Sequence, residues 1–197
     1  SNSEWGTIYA SGTLLSAVAM IYVGGLVDDY KTRNIAFLVL GILTFAMFSM
    51  AILDSVAALI ITIFFLRLMG QGMSTHLAHV AMSKWFSRYR GRALAISNLG
   101  YSLGESFLPM FFVGFLLVFP WRSIWLFSAI FPVVVAVAIY FTLRDERSPE
   151  FFQEDKGTFG LGLRHWSRSE VLKSSIFWFA FPAVSYTHLT LPTIRWV

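Results

Sequence analysis

Two ionisable residues, Arg67 and Glu105, each interrupt an otherwise uncharged stretch of the chain, so chemistry is expected at them. A guanidinium is a permanent cation that pairs well with carboxylates, and a glutamate carboxylate takes up and releases protons. Side chains spaced i, i+4, i+7 share one face of a helix. This spacing predicts two polar stripes, Arg67 with Gln71 and Ser74, and Asn98 with Ser102 and Glu105. Together they predict a polar path that binds an anion and moves a proton.

Long apolar runs must position these stripes. Five of them extend over residues 5–27, 35–53, 55–83, 93–121 and 123–143. A helix needs about 20 residues to cross a hydrocarbon core of about 30 Å, and each run is long enough. The chain is 56% hydrophobic and 13% charged, whereas soluble domains carry about 25% charged residues. We therefore expect an all-α membrane protein whose solvent is the lipid bilayer.

The positive charge is concentrated at alternate loops. The net charge of +4 could suggest nucleic acid, but the basic residues flank apolar runs, where they set topology instead. Those on the predicted cytoplasmic side are Lys31, Arg33, Lys84, Arg88, Arg90, Arg92, Arg144, Arg147, Lys156, Arg164, Arg168 and Lys173. The opposite loops hold only Asp54 and Arg122, which places the start of the chain outside. The absence of cysteine excludes disulfides, thiol catalysis and cysteine metal sites.

Four regions are predicted along the chain. Residues 1–143 hold the five transmembrane helices, 144–173 a central cytoplasmic loop, and 174–184 the start of a further apolar helix. Residues 185–197 are too polar to finish a span and resemble translated sequencing-library adaptor, so His188 and Arg195 are given no function. The chain begins without methionine or a signal peptide. We expect a fragment with at least one span before it.

The first basic loop, residues 24–34, reads GGLVDDYKTRN. It resembles the loop between helices 2 and 3 of the major facilitator superfamily, G-x-L-x-D-R-x-G-R-R. The matching positions are Gly24, Leu26, Asp28 and Arg33, whereas Asp29 and Lys31 depart from the pattern. Two adjacent glycines allow close approach of a neighbouring helix, and the Asp28 carboxylate is placed to cap a helix or pair with a basic residue. As the resemblance implies, this loop stabilises one conformation at the inner surface.

Later motifs extend the resemblance to residues 5–184. The chain is similar to bacterial facilitators of the monocarboxylate and oxalate/formate type in four further motifs. These are RLMGQG within the third run, a Trp-Phe pair, R-G-R-A-L and a later W-R. The resemblance implies helices 2 to 6 and the start of helix 7 of a twelve-helix carrier, an incomplete bundle of that fold. Gly100 and Gly104 keep a small-residue spacing that packs helices closely. Glu105 stands where drug/proton antiporters carry proline, which disfavours a multidrug exporter.

Four ionisable residues inside the runs have competing interpretations. A charge at mid-membrane costs about 2.5–3.5 kcal/mol, so it normally faces a partner or a wet cavity. Arg67 is expected to attract a substrate carboxylate, and Glu105 to carry a proton or pair with Arg67 between cycles. The alternative is a structural ion pair that locks the two helices. His76 and His79 are expected to make interhelical hydrogen bonds; pH sensing is the alternative, and no metal site is expected.

The predicted function is secondary active transport of a small organic anion, such as a monocarboxylate, coupled to a proton and working by alternating access. The predicted location is the inner membrane of a bacterium. The partners are the lipid bilayer, the solute and the proton, with no nucleic acid and no cofactor. An exporter or carrier of an uncharged or drug-like solute remains as an alternative. A membrane-embedded enzyme or receptor is disfavoured, because no nucleophile with a base appears at membrane depth.

Overall fold

The computed structural model describes residues 2–86 and 89–143, together with Glu170, Lys173 and Ser174; for Asn2 and Ser3 it describes the backbone only. The chain divides into two compact units, Ser1–Lys156 and Gly157–Val197. All helices discussed below belong to the first unit. Apart from the three residues named, the predicted loop at 144–173, the predicted helix at 174–184 and the predicted adaptor tail at 185–197 lie outside the described residues.

The described part of the chain consists of helices joined by short turns and contains no strand, which confirms the all-α prediction. Its helices are α1 (Asn2–Val23), α2 (Leu26–Asp29), α3 (Thr32–Ile52), α4 (Val56–Phe65), a π-helix (Leu66–Met73), α5 (Ser74–Trp85), α6 (Arg90–Leu116) and α7 (Trp121–Thr142). The elements α4, the π-helix and α5 are continuous and form one long rod. Five segments are therefore long and apolar enough to cross a membrane, as predicted.

The largest boundary difference lies at the fourth span. The uncharged run predicted a helix over 93–121, but α6 begins at Arg90 and ends at Leu116. Pro120 then caps the start of α7 with an extended backbone. Proline lacks an N–H donor and disfavours a helical conformation in the residue before it, so the chain turns here although it stays apolar. An uncharged run predicts which residues are apolar enough to lie in the membrane, but it does not predict where the helix ends.

Helix α3 lies at the centre of the bundle and packs against α4, the π-helix, α5 and α7. The core consists of apolar side chains from α2, α3, the π-helix and α5, namely Val27, Ile35, Ala36, Val39, Leu43, Leu68, Met69, Met73 and Leu77. Phenylalanine, leucine, isoleucine and valine side chains are widely exposed on the outer faces of the spans. Such apolar outer surfaces are suited to lipid rather than to water.

Contacts at both ends hold α3 against α7. At one end Arg122 pairs with Asp54 at 2.5 Å and donates to the Leu53 carbonyl at 3.3 Å, where a cation complements the C-terminal dipole of α3. At the other end the Arg33 guanidinium lies 4.9 Å from the centre of the Tyr140 ring. We call this second end, which carries the basic loops, the basic end. Because both contacts are near the surface, we infer that they orient the two helices and add little to the stability of the bundle.

Helix α6 is the least packed of the spans. It contacts α5 and, to a smaller extent, α7, and none of its residues is buried. A Cβ added at Gly100 would meet nothing within 4 Å, and one at Gly104 would meet only Leu108 of the same helix, at 3.8 Å. No neighbouring helix in the described part of the chain uses these two glycines, so their packing role stays a prediction.

Gly12 lies at a point of close approach between α1 and α4. A Cβ at this position would lie 2.9 Å from Ile63 Cγ2 and 3.3 Å from the backbone oxygen of Ile60. Ser16, one turn further along α1, is buried as well. Small residues four positions apart allow two membrane helices to approach to backbone contact. The α1–α4 interface therefore depends on the missing side chain at Gly12.

Replacing Gly12 by leucine is expected to destabilise the bundle, because the added atoms overlap the Ile60 backbone and the Ile63 side chain. Overpacking of this kind costs about 1–3 kcal/mol. The matched control is Gly41→Leu, where a Cβ would meet nothing within 4 Å. Thermal unfolding of the detergent-solubilised chain measures the difference. Equal unfolding temperatures for Gly12→Leu and Gly41→Leu would contradict the proposed interface.

Candidate functional site

Arg67 and Glu105 lie at equal depth in the bundle. Eleven residues separate Arg67 from the start of α4 at Val56, and eleven separate Glu105 from the end of α6 at Leu116. Both helix ends are at the side opposite the basic end, and eleven helical residues correspond to about 16 Å. The two charged residues are therefore level with each other, near the middle of a bilayer.

The backbone around Arg67 is a π-helix rather than the α-helix that the i, i+4, i+7 spacing assumed. Two glycines within it admit side chains from neighbouring helices: a Cβ at Gly72 would lie 3.2 Å from Met20 Sδ, and one at Gly70 would lie 3.4 Å from Leu43 Cδ1. π-Helical turns occur frequently at functional sites. This segment places the Arg67 guanidinium over the Tyr9 ring of α1, 4.5 Å from the ring centre.

A chain of polar side chains leads from Arg67 to Glu105. Arg67 Nη1 donates to Oε1 of Gln71, one turn away in the same segment. The Gln71 amide is near enough to the Tyr101 hydroxyl of α6 to interact with it, and the Arg67 charge acts on the same hydroxyl. Tyr101 in turn donates to Glu105 Oε1 at 2.7 Å. We call these four side chains the polar chain.

No direct ion pair joins Arg67 to Glu105 among the described residues. The connection between them passes through Gln71 and Tyr101. This arrangement does not support the structural alternative, in which a direct Arg67–Glu105 pair locks the two helices. The exposed hydroxyl and carboxylate of the polar chain lie on an open side of the bundle. Because mid-bilayer charges do not face lipid, we expect this side to face water or further protein.

The structure brings three of the six predicted stripe residues together and leaves three apart. Arg67, Gln71 and Glu105 belong to the polar chain. Ser74 instead donates to the Met69 carbonyl five residues before it, at 2.7 Å, following the π-helical register. Asn98 bonds His79 of α5, and the side chain of Ser102 makes no hydrogen bond within the described part of the chain.

Sequence reasoning missed Tyr101 and Tyr9. Tyr101 precedes Glu105 by four residues, a spacing at which helical side chains meet, so this signal was available. Tyr9 lies on another helix, and only the packing of α1 against the π-helix brings it under Arg67. Both are tyrosines, whose rings tolerate an apolar environment while the hydroxyl seeks a partner.

His79 makes an interhelical hydrogen bond, as predicted, whereas His76 bonds the loop that follows α1. The His76 ring nitrogen Nε2 lies 3.1 Å from the carbonyl oxygen of Gly24, and His79 Nε2 lies 2.9 Å from Asn98 Oδ1. Within residues 2–86 and 89–143, no three histidine or acidic side chains come together as metal ligands would. The histidines thus join the π-helix–α5 rod to the first loop and to α6.

The loop predicted as a gate lies at the basic end of the bundle. Asp28 makes no side-chain cap; its carboxylate lies 3.5 Å from Lys84 Nζ at the end of α5. Lys84 also donates to the carbonyl of Val27, which is fully buried, at 3.0 Å. Gly24 accepts from His76, Arg33 lies over Tyr140, and Leu26 is partly exposed. The loop is thereby attached to α5 and α7, and its gating role stays a prediction.

Comparison with known proteins agrees with this architecture. The family model described as Major Facilitator Superfamily matches residues 1–194. Comparisons with curated proteins and with solved structures gave no match. The family match covers nearly the whole chain, and the five membrane-capable helices are consistent with membership of this membrane-protein family. The chain is therefore a multi-pass integral membrane protein that belongs to the major facilitator superfamily, whose members transport solutes and are not enzymes.

Proposed function

We propose that this chain serves proton-coupled transport of a small organic anion of the monocarboxylate type, by alternating access in a bacterial inner membrane. The single observation that supports it most is the polar chain, which links a cation and a carboxylate at one membrane depth. An uncharged or drug-like solute remains the alternative outcome of the tests below.

The environment of Arg67 favours an anionic solute. Its charge is met by the Gln71 amide oxygen and the face of the Tyr9 ring, both of them neutral. No carboxylate lies within ion-pair distance of it in the described part of the chain. A cation in a low-dielectric setting is stabilised most by an anion, and a guanidinium binds a carboxylate through two parallel N–H donors. A carboxylate solute supplies the charge that Arg67 lacks.

The environment of Glu105 favours proton coupling. Its carboxylate accepts a hydrogen bond from Tyr101, and the residues that the structure describes provide no second partner for it. A carboxyl group at membrane depth can shed its charge by binding a proton. A monovalent anion that crosses together with one proton moves no net charge. It therefore avoids the electrical work of moving a charge against the membrane potential, about 2.3 kcal/mol per elementary charge for each 100 mV. One cation and one protonatable carboxyl are sufficient for such symport.

The basic-end contacts suit the proposed alternating access. The ion pair of Lys84 and Asp28 is loose, with the Asp28 side chain 69% exposed and the two groups 3.5 Å apart. Exposed pairs contribute at most about 1 kcal/mol and can therefore break and reform during a cycle. In carriers of this kind, helices rock around a site near the bilayer midplane, where the polar chain lies.

Glu105→Gln is expected to abolish accumulation of the anion driven by a pH gradient, because the amide cannot carry a proton. Exchange of labelled for unlabelled anion moves no net proton and is expected to continue. The measurement uses proteoliposomes that contain the protein expressed from the complete open reading frame that encodes this chain. Formate, acetate, L-lactate and oxalate serve as probes. Unchanged pH-driven uptake by the variant would refute proton carriage by Glu105.

Arg67→Gln is expected to weaken both uptake and exchange, because the solute carboxylate loses its charged partner. A hydrogen bond to a charged group contributes about 1.5–3 kcal/mol, equivalent to a rise in KM of about 10- to 100-fold. The matched control is Arg122→Gln, which removes an arginine that pairs with Asp54 at the opposite end from the basic loops. If the two variants lower transport equally, or if an uncharged solute is carried instead, Arg67 is not the anion site.

A further inference from the structure

The Tyr101 hydroxyl occupies the middle of the polar chain. It donates to Glu105 Oε1 at 2.7 Å, and it interacts with the Gln71 amide of the neighbouring rod. Tyr101 and Glu105 belong to α6, whereas Arg67 and Gln71 belong to the π-helix. Any influence that passes along the polar chain from one span to the other therefore crosses at this hydroxyl.

The two hydrogen bonds of the polar chain, Arg67 to Gln71 and Tyr101 to Glu105, have one direction, and the Gln71–Tyr101 contact connects them. Gln71 Oε1 accepts from Arg67, so the N–H groups of the same amide are left for the Tyr101 oxygen. A tyrosine hydroxyl can accept one hydrogen bond while it donates another, and here it donates to the carboxylate. Each donor thus points from Arg67 towards Glu105. Hydrogen bonds aligned in this way polarise one another, and each strengthens the next.

We propose that Tyr101 is a positioning residue that couples anion binding at Arg67 to protonation of Glu105, an inference that rests on the proposed function. A bound carboxylate replaces Gln71 as the acceptor of the guanidinium N–H, so the Gln71 amide is no longer held in its orientation towards Tyr101. The carboxylate of Glu105 then loses the polarised donor that stabilised its charge. A proton from the aqueous side binds to Glu105, and Tyr101 keeps its own proton throughout. Anion and proton thereby bind cooperatively, and by linkage each increases the affinity for the other equally.

The other charged and titratable groups on the elements packed against α6 have partners of their own. On α5, His76 bonds the Gly24 carbonyl and Lys84 bonds the first loop. His79 bonds Asn98, seven residues from Glu105 along α6. On α7, Arg122 pairs with Asp54 and Tyr140 lies under Arg33. Arg67 is the charged side chain that acts on the Tyr101–Glu105 pair from a neighbouring helix within the described residues. Its route to Glu105 is the polar chain.

Tyr101→Phe tests this inference, because it removes the hydroxyl and keeps the ring. The measured quantity is the equilibrium Kd of the four probe anions for the purified carrier, encoded by the complete open reading frame, at about pH 6 and about pH 8. For the unmodified carrier we expect tighter binding at the lower pH, by on the order of 10-fold. In Tyr101→Phe we expect this ratio to fall to about 2-fold or less, since only direct Coulomb interaction between Arg67 and Glu105 remains. The matched control is Tyr22→Phe, because Tyr22 on α1 is 74% exposed; this variant should keep the full ratio.

The outcomes separate this inference from the function beneath it. If the ratio disappears in Glu105→Gln but persists in Tyr101→Phe, Tyr101 does not couple the sites, and proton-coupled transport stands. If the unmodified carrier shows no pH dependence, or binds none of the four anions, the proposed function fails and this inference fails with it. A lower ratio in Tyr101→Phe, with Tyr22→Phe unchanged, supports both.

Discussion

A charge held halfway across a bilayer must be compensated by protein, by water or by a neutralising proton, and the organisation of this chain follows from that constraint. Each uncompensated charge costs about 2.5–3.5 kcal/mol there. Arg67 and Glu105 lie at one depth, yet they do not pair directly; Gln71 and Tyr101 lie between them. A direct pair would satisfy both charges permanently. The indirect arrangement leaves each available, which suits a site that exchanges an anion and a proton with water.

The surrounding helices position this arrangement rather than take part in it. The central helix α3 supports the π-helix through buried apolar contacts and is held to α7 at both ends. Gly72 lets Met20 of α1 approach the π-helix, and the same approach brings Tyr9 under Arg67. By contrast, α6 has no buried residue, although it carries half of the polar chain. The rod is well packed and α6 is loosely packed. A site between two such elements suits opening and closing, because α6 can move relative to the rod.

The spans and the depth of the two charges could be predicted from sequence, because they depend on the length and charge of a one-dimensional run. The partners of those charges could not. The π-helix displaces Ser74 from the Arg67 stripe, and its glycines lie against Met20 and Leu43, which are distant in sequence. Asn98 is taken by His79 because α5 crosses α6 there. The spacing of Tyr101, one turn before Glu105, is readable from the sequence. Its hydroxyl connects the two spans only because the Gln71 amide lies near it, and this proximity is not readable from the sequence.

Cross-linking tests most directly whether the π-helix and α6 meet at the polar chain. The chain contains no cysteine, so paired substitutions introduce the only two thiols within these 197 residues. Gln71→Cys with Tyr101→Cys is predicted to be joined by a short bismaleimide in membranes. The control pair is Gln71→Cys with Leu103→Cys, because Leu103 points to another side of α6, about 200° round the helix from Tyr101. Cross-linking of the first pair and not the second is the predicted result; equal reaction of both pairs, or of neither, would contradict the account.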